Sequence, residues 1–252
     1  MLLSFAMEDF KNGDTQPQGA PARSRRAPKI ESAMARYTLV VGTRNWSSWS
    51  LRPFVALKAT GAPCEIVDIR LRQTQHPTTR EEILKHSPAG KVPVLKITEN
   101  GTTLTVWDSL AICETLAERH PEAGLWPRDP ATRAIARSYA CEMHSGFPDV
   151  RDQLSMEFAR RKELPELRDD TKTQIARILE AWDGALATHK GEFLFGSLSV
   201  ADCMYAPVVS RFLTYGVETS APVQAYMARM MALPAMQEWR KAAQAEVDAD
   251  LV

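Results

Sequence analysis

The strongest constraint on this chain is a change of hydrophobic period near its middle. Between Tyr37 and His120 short β-branched runs alternate with helically spaced stretches, whereas from Ala131 onward every signal is helical. Residues 121–130, with three prolines and one glycine, separate the two regimes and read as a linker. A length of 252 residues accommodates two domains. The pattern therefore predicts an α/β domain over residues 36–120 followed by an all-helical domain over 131–252.

The run Tyr37-Thr38-Leu39-Val40-Val41-Gly42 reads as a buried strand. Leu51, Phe54, Val55 and Lys58 follow it at helical spacing, with Pro53 expected in the first turn, where a missing N–H is harmless. Gly61-Ala62-Pro63 breaks that helix, and Cys64 to Ile69 reads as a second strand, parallel to the first because βαβ crossovers are right-handed. A helix is expected around Arg80 to His86. Val94 to Ile97 and Thr102 to Val106 flank Glu99-Asn100-Gly101, and Asn-Gly between two such runs marks a hairpin. Asp108-Ser109 then caps a helix running to about Arg119. The order β-α-β-α-β-β-α is that of a thioredoxin-like domain. In the second half, Ile175, Ile178, Leu179, Trp182 and Leu186 form one apolar stripe, and Ser199-Val200-Ala201-Asp202 forms a capping box.

Lys+Arg and Asp+Glu both number 31, so no net field draws in nucleic acid. The four cysteines, Cys64, Cys113, Cys141 and Cys203, form no CxxC pair and lie in apolar stretches, so buried thiols in a reducing compartment, the cytoplasm, are expected and no metal site is. No apolar run reaches the length of about 18 residues needed to span a membrane. Residues 1–35 are rich in Gly, Pro, Gln, Ser and Arg and are expected to be a disordered extension. Arg25-Arg26 is not followed by the apolar segment of an export signal.

Three places carry residues able to do chemistry. Asn45-Trp46-Ser47-Ser48-Trp49-Ser50-Leu51-Arg52-Pro53 joins the first strand to the first helix, and its serines, taken alone, read as helix caps. In Gly90-Lys91-Val92-Pro93-Val94-Leu95 a proline heads a strand, and a cis bond there would let the Val92 backbone pair with an extended peptide. In Trp107-Asp108-Ser109-Leu110, Asp108 and Ser109 either cap a helix or hold the two charged ends of an amino acid. All three fall at loop ends of one small sheet, where they can converge on a single cleft.

Together these motifs resemble the cytosolic glutathione transferase superfamily from about Tyr37 to the C-terminal helices. Ser-Ser-Trp-Ser-Leu-Arg-Pro is similar to the serine-type active-site loop of the zeta-like and related bacterial branches. Lys-Val-Pro-Val-Leu is similar to the cis-proline segment, Trp-Asp-Ser-Leu-Ala-Ile to the Glu-Ser motif, and Ser-Val-Ala-Asp to the capping box of the helical domain.

The resemblance implies glutathione as co-substrate, no metal, and conjugation of its thiolate to a small electrophile. It also implies a homodimer. Ser47, or its neighbour Ser48, would stabilise the thiolate. Trp49, Val92, Pro93, Asp108 and Ser109 would bind glutathione, with Lys91 and His86 near its glycyl carboxylate. Tyr139, Met143, His144 and Phe147 on the first helix of the second domain would face the electrophile. Trp49 stands where the zeta-like loop carries cysteine, which weighs against maleylacetoacetate isomerisation. A glutathione-dependent isomerase or dehalogenase, and a binding protein without turnover, are the alternatives on the same scaffold.

Overall fold

The computed structural model describes residues 35–71 and 78–252, so residues 1–34 of the expected extension lie outside the described residues. Strand β1 (Arg36–Gly42) is followed by α1 (Ser48–Ala59), β2 (Cys64–Ile69), α2 (Thr78–Leu84), β3 (Val94–Glu99), β4 (Thr102–Trp107) and α3 (Ser109–Arg119). The sheet order is β2-β1-β3-β4. β1 and β2 are parallel, in register from Tyr37↔Cys64 to Gly42↔Ile69, and β3 runs antiparallel to β1 and β4. The hairpin forms where Asn-Gly requires it: Asn100 at φ 50 and Gly101 at φ 76 supply the two left-handed residues of a type I′ turn.

Alternation along β1 divides its side chains between two faces. Tyr37, Leu39 and Val41, with Leu95 and Ile97 of β3, pack against α1 and α3, while Val40 joins Val94, Ile69 and Ile83 of α2 on the other face. A strand covered on both faces needs a continuous apolar run, which is how β1 reads.

The helical half comprises a short 3-10 turn at Pro121–Ala123, then α4 (Pro130–Ser145), α5 (Pro148–Gln153), α6 (Asp169–Thr188), α7 (Val200–Tyr215), α8 (Ala221–Ala232) and α9 (Pro234–Asp248). Every residue of α7 except Leu213 is buried. Such a helix belongs at the centre of a bundle, and α7 packs against α1, α3, α4 and α8. One apolar cluster runs from β1 through α1 and α7 to α9, joining the two halves.

Two expectations change. Helix α1 starts at Ser48, so Pro53 lies in its second turn, where it removes the N–H that the Trp49 carbonyl would otherwise accept. The apolar spacing that begins at Leu51 had concealed three further helical residues. Cys113 and Cys203 are buried as expected and Cys64 is partly so, but Cys141 lies on the outward face of α4 and is exposed. No helix among the described residues is long and apolar enough to cross a membrane.

Candidate functional site

The chain leaves β1 at Gly42 and turns at once, with the N–H groups of Trp46 and Ser47 both bonded to the Thr43 carbonyl. Ser47 is the N-cap of α1, yet its side chain makes no cap bond. Its Oγ instead donates to Ser50 Oγ at 2.8 Å, and Ser50 Oγ accepts the Gly42 N–H at 3.1 Å. The first turn of α1 is thereby tied to the end of β1. A Cβ on Gly42 would meet the Leu71 side chain at 2.5 Å and Ser47 Oγ at 3.1 Å, so a larger residue here would displace Leu71 and press on the Ser47 hydroxyl. Ser47 and Ser48 are both buried.

Trp49 points outward, 36% exposed, and is the meeting point of three elements. The Arg52 guanidinium lies 4.3 Å from its ring centroid and that of Arg151, in α5, 4.8 Å. His144, at the end of α4, packs edge-on against it at 5.3 Å. His144 Nε2 is in turn 3.3 Å from Asp108 Oδ2. The serine turn, the start of α3 and the end of α4 therefore converge.

Asp108 takes φ 75, an uncommon conformation for a residue with a side chain. Its Oδ1 accepts the N–H groups of Leu110 at 2.9 Å and Ala111 at 3.2 Å, so the expected cap is present. Beside it Ser109 is buried, and its Oγ has no hydrogen-bond partner among the described residues.

The Val92–Pro93 peptide bond is cis. Val92 precedes the β3 ladder, whose register begins at Val94↔Trp107, and packs at the edge of the Val40 cluster. Lys91 is exposed and His86 half-buried in the connection from α2 to β3. Burial pushes the His86 imidazole below its ordinary value, Lys96 and Lys85 add to this, and Glu82 opposes it.

Of the four residues expected to face an electrophile, His144 is the one that meets the serine turn. Tyr139 instead donates to the Ala181 carbonyl at 3.1 Å and packs edge-on against Phe195, within the helical half. Met143 and Phe147 are buried in the apolar core, the latter as the left-handed residue before α5.

The electrostatics beneath Trp49 are cationic. Arg52 is wholly buried, and desolvation, followed by the charges of Arg151 and Arg211, lowers its guanidinium to about 9. Its Nε and Nη1 have no hydrogen-bond partner among the described residues, and neither has Arg151 Nε. Arg151 Nη2 donates to the Met143 and His144 carbonyls, and Arg211 Nε to the Leu154 carbonyl at 2.7 Å. Burial is also the main cause that lowers His144; Arg52 and Arg151 act in the same direction, against Asp108. No cluster of three or more His, Cys, Asp or Glu suited to a metal is found among the described residues.

The profile of the glutathione S-transferase N-terminal domain matches residues 46–119, and that of the C-terminal domain matches residues 165–242. A maleylacetoacetate isomerase of Mus musculus is 31% identical over 183 residues, covering 70% of this chain and 78% of that protein. The glutathione S-transferase omega-1 of Rattus norvegicus is 30% identical over 189 residues, covering 73% and 72% respectively. This chain belongs to the glutathione S-transferase family.

Among solved structures, the maleylacetoacetate isomerase of Anaeromyxobacter dehalogenans 2CP-1, with glutathione bound in its active site, superposes with a TM-score of 0.61 at 26% identity. It covers 83% of this chain and 97% of that one. Set in this family, the chain has its serine turn and its Asp-Ser cap at the sheet end where the motifs predicted them. Sequence reading missed Ser50 and Arg151. The first carried a signal, since it lies three residues from the N-cap and so on the same side of the turn. The second carried none, because Arg151 belongs to a short helix whose approach to Trp49 depends on the packing of the two halves.

Proposed function

We propose that this chain is a glutathione-dependent enzyme in which the Ser47 hydroxyl stabilises the thiolate of glutathione for attack on a small electrophile. The observation that carries the reading is that Ser47, at the N-terminus of α1, spends its hydroxyl on Ser50 rather than on a cap. Rotating two hydroxyl groups would turn the Ser47 proton to an incoming sulfur while Ser50 donates to Ser47.

The energies are of the required size. A thiol of pKa about 8.5 must fall by about two units, roughly 2.7 kcal/mol, to be mostly ionised near pH 7. A hydrogen bond to an anion supplies about 1.5–3 kcal/mol, and a helix N-terminus about 0.3–1 kcal/mol. The thiol proton leaves to solvent, and sulfur then forms its bond to the electrophilic carbon while a leaving group departs with its bonding pair or, at an activated alkene, the π pair moves to the neighbouring carbon and takes up a proton.

Val92, ahead of the β3 ladder, is assigned to the cysteinyl backbone of glutathione, with Pro93 setting its approach. Ser109, with an unpartnered hydroxyl, takes the γ-glutamyl carboxylate, and Asp108 the ammonium. Lys91 and His86 serve the glycyl carboxylate, and Trp49 walls the cleft. A homodimer is assigned on family grounds, and sedimentation at micromolar concentration tests it.

Retention on immobilised glutathione, followed by thiolate absorbance of the complex against pH, tests the enzyme reading. A bound thiol that titrates as free glutathione does would end it.

A second reading, isomerisation of an acidic substrate, is favoured by the unpartnered nitrogens of Arg52 and Arg151 and by the relatives named maleylacetoacetate isomerase. Turnover of a cis-alkene dicarboxylate compared with a neutral aryl halide separates the two. Under the acid reading Arg151→Met raises KM for the dicarboxylate alone.

A further inference from the structure

We infer that Glu246 of α9 is a positioning residue for the serine turn, acting from the far end of the chain on the backbone that leads to Ser47. The inference rests on the Ser47 reading. Glu246 Oε1 accepts the Arg44 N–H at 2.8 Å, and Oε2 accepts the Asn45 N–H at 2.8 Å. Two consecutive N–H groups received by one carboxylate fix the direction of that peptide, and a side chain with a single acceptor oxygen cannot do the same.

The remaining backbone groups of these residues are held as firmly. The Arg44 carbonyl accepts Trp239 Nε1 of α9 at 2.8 Å, and the Asn45 carbonyl accepts the Phe158 N–H at 3.1 Å. Asn45, wholly buried, donates Nδ2 to Glu157 at 2.8 Å and accepts the Ala159 N–H on Oδ1 at 2.9 Å. The Arg44 guanidinium is bonded to both oxygens of Asp68, at 2.5 and 3.0 Å, and lies over the Phe54 and Trp239 rings.

Every backbone polar group of the two residues is thus bonded outside the turn. Three of the four bonds go to the helical half on α9, and the fourth goes to the segment after α5. Such saturation is more than a surface connection needs. The turn that follows, closed by Thr43 on Trp46 and Ser47, inherits its position from α9. A hydrogen bond to sulfur weakens steeply with misplacement, so the thiol of bound glutathione is the sensitive readout of a clamp that never touches it.

The test uses the full chain with Glu246→Gln, Glu246→Asp and, as a control on the same helix, Glu238→Gln, whose partner is Lys58. Gln keeps the shape of Glu but turns an amide NH2 toward one backbone N–H. In E246Q the bound thiol should titrate about one unit higher than in the wild type and kcat should fall about tenfold, with KM for glutathione within about threefold. Amide exchange at residues 43–47 should quicken. E246D, which retains the carboxylate, should be intermediate, and E238Q should match the wild type.

A folded E246Q whose bound thiol titrates as the wild type's does, or one that loses kcat with unchanged exchange at 43–47, overturns the inference. If E246Q fails to fold, E246D decides by the same two readouts. A wild-type thiol that titrates as free glutathione does would instead sink the Ser47 reading, and the positioning role with it.

Discussion

When the Ser47 hydroxyl turns its proton to a sulfur it gives up its bond to Ser50, and Ser50 can donate to it in return. In the structure Ser50 Oγ accepts from both Ser47 and Gly42, so its own proton is free to turn toward Ser47 once Ser47 turns outward. Ser47→Ala should therefore remove about 1.5–3 kcal/mol of thiolate stabilisation, a loss of about 10- to 160-fold in kcat/KM. Ser48→Ala should leave the thiol titration unchanged, because Ser48 has no part in this pair. Ser50→Ala should raise the thiol pKa less than Ser47→Ala does while lowering stability by about 1–3 kcal/mol, since the Gly42 N–H loses a buried acceptor. Thiolate absorbance and urea unfolding of the three variants measure both quantities, and a Ser48 effect larger than the Ser47 effect would reassign the site. At this scale the sequence was informative where local turn chemistry decides: Ser47 at a helix start and Asp108 at a cap are both where their residue types predict. It was silent on Arg151, because what brings that guanidinium to Trp49, beside the Arg52 that lies three residues along the same helix, is a meeting of elements distant in sequence.

Helix α7 shows what a single cap does for an element. Asp202, wholly buried, accepts the N–H and Oγ of Ser199 and, through its other oxygen, the N–H of Leu194. Asp202→Ala leaves these donors without a partner at a cost of about 1–3 kcal/mol for each buried group. Burial pushes the Asp202 carboxyl up to about 6, with the bonds from Leu194 and Ser199 opposing, against about 3.9 in an unfolded chain. The folded state therefore holds this proton more tightly than the unfolded state does. The stability gained from it is complete below about pH 4 and is lost as pH rises through about 6. Urea unfolding between pH 4 and 7 should show the stability difference between wild type and Asp202→Ala shrinking over that window, and a difference that grows with pH would refute it. Serine followed by aspartate three residues on made this cap legible. The Asn100-Gly101 hairpin was legible for a similar reason. The start of α1 was not, because serines at a helix N-terminus fit a cap as well as a first turn, and Pro53 was misplaced with it. Nor was the burial of α7 on all sides, since a helix without a polar face leaves no period to read.

Across the whole molecule the two regimes of hydrophobic period became two halves with one core. Phe54 stands where they join: fully buried on α1, edge-on to Trp239 of α9 at 5.0 Å, in the same apolar cluster as Leu39 of β1 and Phe212 of α7. The period predicts two folding units but carries nothing about how firmly they adhere, since that depends on pairs such as Phe54 and Trp239 that no local window contains. The continuity of the cluster makes a definite claim: neither half can open globally without exposing part of the other's core. Phe54→Ala should cost about 3–5 kcal/mol and should lower the protection of the slowest-exchanging amides of β1 and of α7 by the same amount, with fluorescence and far-UV circular dichroism melting together. If the β1 amides lose protection while those of α7 keep it, the halves unfold separately, and α9 could then no longer hold the serine turn whenever the α/β half opens on its own. Equal losses would mean that the scaffold beneath Ser47 is as stable as the whole chain, which a hydroxyl placed to meet a sulfur atom requires.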